Sequence, residues 1–298
     1  MMSTDFNMQL QEYIDFTEMK LKEYNALTPE TAAQKNLIEA MNYSLEAGGK
    51  RIRPVLVYAF CKALGGDYKK ASAPACAIEM IHTFSLIHDD LPAMDDDDFR
   101  RGKPSCHKAY GEAMAILAGD ALSVLPFEII ADDDSLTVQQ KVRMISVLAK
   151  AVGRAGMIGG QVIDMENEQR SDVDEANLRN MYRNKTGQLI AVSCVMGAIC
   201  AGASDEKISI AAEYAYKLGL AFQIIDDILD VTSTAEVLGK PIGSDAQENK
   251  TTFVTLYGVE KAQEIASEIT DEAMQLLSEF GDNSFLRELT EMLLRRKN

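Results

Sequence analysis

The chain has 298 residues, 47% hydrophobic and 26% charged, with only 7 prolines. This composition excludes disorder and allows a large core. No Gly/Ser/Pro-rich linker interrupts it, so residues 1–298 read as a single domain. Lys and Arg total 30 against 46 Asp and Glu, and the net charge of −16 argues against nucleic acid or an anionic membrane as the main partner.

Residues 1–24 mix Asp, Glu and Lys with apolar residues and lack a signal-peptide core. Residues 6–24 read as an amphipathic helix, and 29–45 as a second, stopped by Gly48-Gly49. Pro54 suits a helix first turn, and 55–64 follows. Residues 71–88 form an Ala/Ile/Met-rich helix running into an acidic cluster. Helical patterns recur at 111–131, 138–155, 175–200 and 206–231, with several shorter ones towards the C-terminus. There is no convincing alternating strand run and no βαβ rhythm, so the expected fold class is all-α. Helices 71–88 and 207–229 are apolar around most of their circumference, as helices inside a bundle are. No apolar run approaches the roughly 20 residues a membrane span needs, so no stable membrane association is expected. The five cysteines (Cys61, Cys76, Cys106, Cys194, Cys200) show no CxxC spacing and suit a reducing cytoplasm.

Both buried helices end in aspartates. The first cluster holds Asp89, Asp90 and Asp95 to Asp98; the second holds Asp226, Asp227 and Asp230. Asp226 and Asp230 share a helix face, with Asp227 about 100° around. Asp89 and Asp95 would point apart on a straight helix, but Pro92 predicts a break that brings Asp95 back beside Asp89. One aspartate run is ordinarily a solvated helix end. Two such runs, each following an apolar helix, suffer mutual repulsion and an opposing helix dipole that a divalent cation relieves. Hard carboxylate oxygens suit magnesium. The spacing is not that of an EF-hand, and no His/Cys set points to zinc.

Cations stand nearby: Lys50, Arg51 and Arg53 at a helix entry, Arg100, Arg101 and Lys103 after the first cluster, and Lys185-Thr186-Gly187, Gln223, Lys240 and Lys250 further on. Each alone is an ordinary surface residue; together, in so acidic a chain, they are candidates for phosphate oxygens. A carboxylate 4 Å from a phosphate charge repels it by about 4 kcal/mol at an effective dielectric of about 20. Aspartates therefore receive a diphosphate only through bridging cations, which also stabilise it as a leaving group. No nucleophile pair is persuasive among His82, His88 and His107.

GGKRIRP, DDLPAMDDDDFRRGKP, KTG and FQIIDDILD followed by LGKPIGSD, in that order, resemble the trans-isoprenyl diphosphate synthases, most closely the bacterial farnesyl diphosphate synthases. The resemblance covers essentially the whole chain. It implies an isoprenoid synthase-type helical bundle around a deep central cavity, a homodimer, and magnesium as cofactor, three ions per site. Asp89, Asp90 and Asp95 resemble the first magnesium group, and Asp226, Asp227 and Asp230 the second. Lys50, Arg53, His82 and Arg101 resemble the isopentenyl diphosphate site. Arg100, Lys185, Thr186, Gln223 and Lys240 resemble the allylic diphosphate site. Phe84, five residues before Asp89, stands where short-chain bacterial members place a bulky stop, although Ser85 faces Asp89 more directly. That favours a farnesyl product, with geranylgeranyl the close rival. A terpene cyclase would not need the Lys50/Arg53 site. A non-catalytic prenyltransferase subunit could have lost aspartates that are intact here.

Overall fold

The computed structural model describes residues 2–26, 30–232 and 250–294. Helices α1 (Thr4–Tyr24), α2 (Ala32–Leu45), α3 (Ile52–Ala63) and α4 (Ser72–Asp89) precede a two-stranded hairpin. In it, β1 (Phe99–Arg100) pairs antiparallel with β2 (Lys103–Pro104). Then come α5 (Cys106–Tyr110), α6 (Glu112–Asp132), α7 (Val138–Val152), α8 (Met157–Asn167), α9 (Glu175–Tyr182), α10 (Gln188–Cys200) and α11 (Asp205–Thr232). Helices Phe253–Tyr257, Val259–Leu276 and Ser284–Leu294 complete the described chain. The hairpin is the one exception to the all-α expectation among the described residues.

Local chemistry sets many boundaries. Thr31 with Gln34, and Thr137 with Gln140, form capping boxes that start α2 and α7 by satisfying otherwise orphaned amides. Arg51 at φ 48 turns the chain into α3, where Pro54 occupies the first turn as expected.

The core is built on α4, α10 and α11. Helix α4 packs along α6 and α3, and α10 lies between α3 and α11. The sequence singled out α4 and α11 as buried; α10 belongs with them, since ten of its residues from Leu189 to Ile199 are buried. The rings of Tyr13 and Phe16 on α1 meet Tyr58 on α3 and Tyr68, with centroids 5.0 to 5.8 Å apart, and Tyr13 also meets Phe285. This cluster binds both ends of the described chain to the centre.

Three expectations need correction. Helix α8 was not anticipated. The last helices are not all short, since Val259–Leu276 runs 18 residues. Helix α6, at 21 residues, is long and apolar enough by length and composition to cross a membrane, contrary to the reading of the sequence. A core helix passes the same test, and α6 buries one side against α4 while Ile116, Leu117 and Val124 stay exposed.

Candidate active site

Helix α4 stops at Asp89, and the chain folds back through Pro92 until the Asp95 amide donates to the Asp89 carbonyl at 2.8 Å. The break expected from Pro92 is present, and it sets the two carboxylates close enough to repel. Burial above all, and then the Asp95 charge, push the Asp89 carboxyl up to about 6, while Lys185 opposes the shift.

Two clefts border α11. One, about 1020 Å³ with its open mouth, is lined by Asp95, Asp226, Asp227, Lys185, Thr186 and Gln223, so the two aspartate groups face a common space. The other, about 1050 Å³, is lined by Lys50, Arg53, His82 and Arg101 above apolar Leu56, Ile190, Leu218 and Phe222. Phe222 borders the basic cleft and Gln223 the acidic one, so consecutive residues of α11 separate them.

In the acidic cleft, Asp227 is buried. Its two oxygens accept from the Tyr182 hydroxyl at 2.9 and 2.8 Å, and Oδ2 also accepts from the Phe253 amide at 3.1 Å. Asp230 is buried one turn further on. Lys185 sits in a π-helical segment, Arg183–Gly187, between α9 and α10, and such local widening of a helix is frequent at functional sites. Its ammonium donates to Asp164 on α8. A Cβ on Gly160 would stand 2.2 Å from the Lys185 amide nitrogen, so only glycine lets α8 approach this closely. Asp164, Asn167, Glu168, Tyr182, Thr251 and Thr252 also line the cleft and were not anticipated. The signal for the α8 members was the run Gly153, Gly156, Gly159, Gly160, which marks close backbone approach.

In the basic cleft, burial lowers both Arg53 and Arg101 from the usual guanidinium range, and Arg53 Nε has no hydrogen-bond partner among the described residues. Arg101 donates to the Gly48 carbonyl, and a Cβ on Gly49 would come within 2.7 Å of its guanidinium carbon. Burial and then the charges of Arg53 and Arg101 hold His82 well below its usual pKa, so it is neutral near pH 7. The unfolded chain binds that proton near pH 6.5, so stability should fall as pH drops below this value. His82→Asn is expected to flatten that slope in urea titrations at a series of pH values. Parallel curves for the two proteins would refute the assignment.

Several anticipated residues stand elsewhere. Asp90 is buried and accepts from Arg100 Nε at 2.8 Å and from its terminal nitrogen, which also donates to Asp97 at 2.8 Å. Arg100 thus clamps the aspartate loop and lines neither cleft. Arg51, one of the three expected entry cations, borders the basic cleft but is buried and paired with Glu79 and Glu18, both at 2.6 Å. Phe84 is buried against His88, and the Ser85 hydroxyl donates to the His82 carbonyl. Lys240 and the LGKPIGSD segment lie outside the described residues.

The polyprenyl synthetase family matches residues 34–293. A chloroplastic geranylgeranyl pyrophosphate synthase from Catharanthus roseus is 47% identical over 243 residues, covering 81% of this chain and 68% of its own. A dimethylallyltranstransferase from Fischerella ambigua is 42% identical over 94% of this chain and 82% of its own. The structure of an FPP/GFPP synthase from Zymomonas mobilis superposes with a TM-score of 0.88 at 36% identity, covering 98% of this chain and 100% of that one. The family match over residues 34–293, with relatives above 40% identity and a fold shared with the Zymomonas mobilis synthase, places the chain in the polyprenyl synthetase family of trans-prenyltransferases.

Proposed function

We propose that this chain is a farnesyl diphosphate synthase, which condenses isopentenyl diphosphate with dimethylallyl and then geranyl diphosphate. The pairing of the two clefts carries this reading: one offers carboxylates, the other cations, and a single residue step on α11 separates them. A diphosphate enters the basic cleft without metal, held by Lys50, Arg53 and Arg101, with neutral His82 beside them. The acidic cleft suits an allylic diphosphate held through magnesium, three ions in our reading. Its fit rests on hard oxygens from Asp89, Asp95, Asp226, Asp227 and Asp230, and on the burial, aided by the Asp95 charge, that raises Asp89.

Bound magnesium would neutralise these carboxylates and stabilise the departing diphosphate, which leaves an allylic cation. Lys185, Thr186 and Gln223 orient that diphosphate, with Lys240 proposed beside them. Arg100 serves by holding Asp90 and Asp97, and so the shape of the loop. The isopentenyl double bond attacks the cation, the new carbocation loses a proton to the released diphosphate, and the trans product results.

Phe84 stands on α4 about 7.5 Å along the axis below Asp89, and its ring is the proposed floor of the chain cavity. Several relatives are named geranylgeranyl synthases, which makes that product the second reading. Chromatography of products formed from isopentenyl and dimethylallyl diphosphates, with and without magnesium, separates the two. Phe84→Ala is expected to shift the main product to a longer chain, and an unchanged distribution would remove Phe84 from this role.

The exposed Ile116, Leu117 and Val124 on an otherwise apolar α6 support a homodimer that covers this face. A monomer mass in sedimentation would exclude it. The five free thiols agree with a cytoplasmic location, which we include in the proposal.

A further inference from the structure

The aspartate loop carries more carboxylates than the acidic cleft uses. Asp95 lines that cleft, while Asp90 and Asp97 are taken by Arg100. Asp96 and Asp98 line neither cleft and remain exposed. The hairpin explains where they go. Pairing of Phe99 with Pro104 and of Arg100 with Lys103 closes the chain on itself, and the Ser105 amide donates to the Asp98 carbonyl at 2.9 Å. That closure carries the first turn of α5, and with it His107, against the loop. Asp96 at φ 51 reverses the chain direction on the other side.

One ligand atom from each of Asp96, Asp98 and His107 lies within 4.8 Å of the others. His107 is only 5% exposed. Its Nδ1 lies 3.1 Å from the Ser105 hydroxyl, while Nε2 is buried with no hydrogen-bond partner among the described residues. A buried imidazole nitrogen with nothing to bind is a rare arrangement in a folded protein. Here it belongs to the residue gathered with two carboxylates. The cation now beside them is the Lys108 ammonium, 2.7 Å from Asp98 and 3.9 Å from Asp96. A single positive charge leaves the carboxylate pair half-compensated, and Lys108, at 41% side-chain exposure, can swing into solvent.

We propose that Asp96, Asp98 and His107 form a second divalent-cation site, separate from the acidic cleft and selective for an imidazole-accepting ion such as zinc or cobalt rather than magnesium. One nitrogen and two oxygen donors suit that class, whereas magnesium prefers oxygen alone. Ser105 acts as the outer partner that fixes the ring tautomer and leaves Nε2 to the metal, as the second hydrogen bond of a ligating histidine usually does. The ion displaces Lys108 and ties the hairpin to the loop directly after Asp95. The site is therefore placed to stiffen the segment that presents one wall of the acidic cleft.

The test is titration of metal-stripped protein with cobalt in excess magnesium, which occupies sites built of carboxylate alone. Visible absorption and equilibrium dialysis are read together. The wild type is expected to take up one cobalt per chain with d–d bands of a nitrogen-ligated ion. His107→Asn should weaken uptake at least about tenfold, since even outer partners of ligands are worth that much. Asp98→Asn should weaken it as well. Lys108→Ala, a surface change that leaves the fold intact, should tighten binding by removing the competing ammonium. Asp89→Asn should leave uptake unaltered. Equal binding by wild type and His107→Asn would overturn the site. Loss of binding in Asp89→Asn would overturn it too, by moving the ion to the acidic cleft. Should His107→Asn fail to fold, unaltered affinity in Lys108→Ala and Asp98→Asn would count against it equally.

Discussion

Alanine at Asp226 is expected to lower turnover by about 10²–10³-fold or more, and alanine at Asp89 to do the same, with the fold preserved in both. The magnitude is that of removing one preorganised electrostatic group from a site where charge develops in the transition state. Asp226 lines the acidic cleft with Asp95, and burial together with the Asp95 charge pushes the Asp89 carboxyl up to about 6. Each loss should appear in kcat with magnesium saturating, and a higher magnesium requirement should accompany it. Because desolvation and Asp95 both work against the Asp89 carboxylate, Asp89→Asn should melt no lower than the wild type at neutral pH. That separates lost chemistry from lost structure. Near-wild-type turnover in either alanine variant would overturn the assignment of the acidic cleft.

The second large effect concerns stability. Arg51 is fully buried, and it donates to Glu79 and Glu18 at 2.6 Å each and to the Leu45 carbonyl at 2.5 Å. Glu79, with a side chain only 2% exposed, also faces the basic cleft and offsets the mutual repulsion of Arg53 and Arg101. Removing Glu79 takes the buried counter-charge from Arg51 and leaves it only Glu18, whose side chain is 34% exposed, so Glu79→Ala should cost about 3 kcal/mol or more. The melting temperature should fall on the order of 10 °C. Replacing both groups together, as Arg51→Met with Glu79→Leu, should recover much of that loss, because the penalty comes from the orphaned ion. A double variant no more stable than Glu79→Ala would show that the pair itself holds α3 to α4. Calorimetry of the three proteins decides between these outcomes.

Part of this molecule was legible without coordinates. Apolar periodicity placed α4 and α11, and Pro92 announced the reversal after Asp89. The missed helix α8 has a local cause: four glycines in and before it lower helix propensity and hide its pattern. Those same glycines admit the close packing under Lys185, so the weak signal and the site share one origin. The π-helical turn at Lys185 was equally hidden, since residues 175–200 carry one continuous helical pattern whether or not one turn widens.

By itself, the sequence determined that the chain is helical, that two aspartate groups end apolar helices, and that cations accompany them. These are properties of spacing along a chain, and hydrophobic period and turn chemistry act over a few residues. Which charge meets which was decided only by tertiary packing. Arg51 and Arg53 stand two residues apart at one helix entry and both border the basic cleft, yet Arg51 is held by Glu79 and Glu18 while Arg53 Nε finds no hydrogen-bond partner among the described residues. Asp95 to Asp98 are consecutive, yet they divide among the cleft, Arg100, and the neighbourhood of His107 and Lys108. Burial sets the cost of each charge, and burial depends on neighbours contributed by helices far away in the chain.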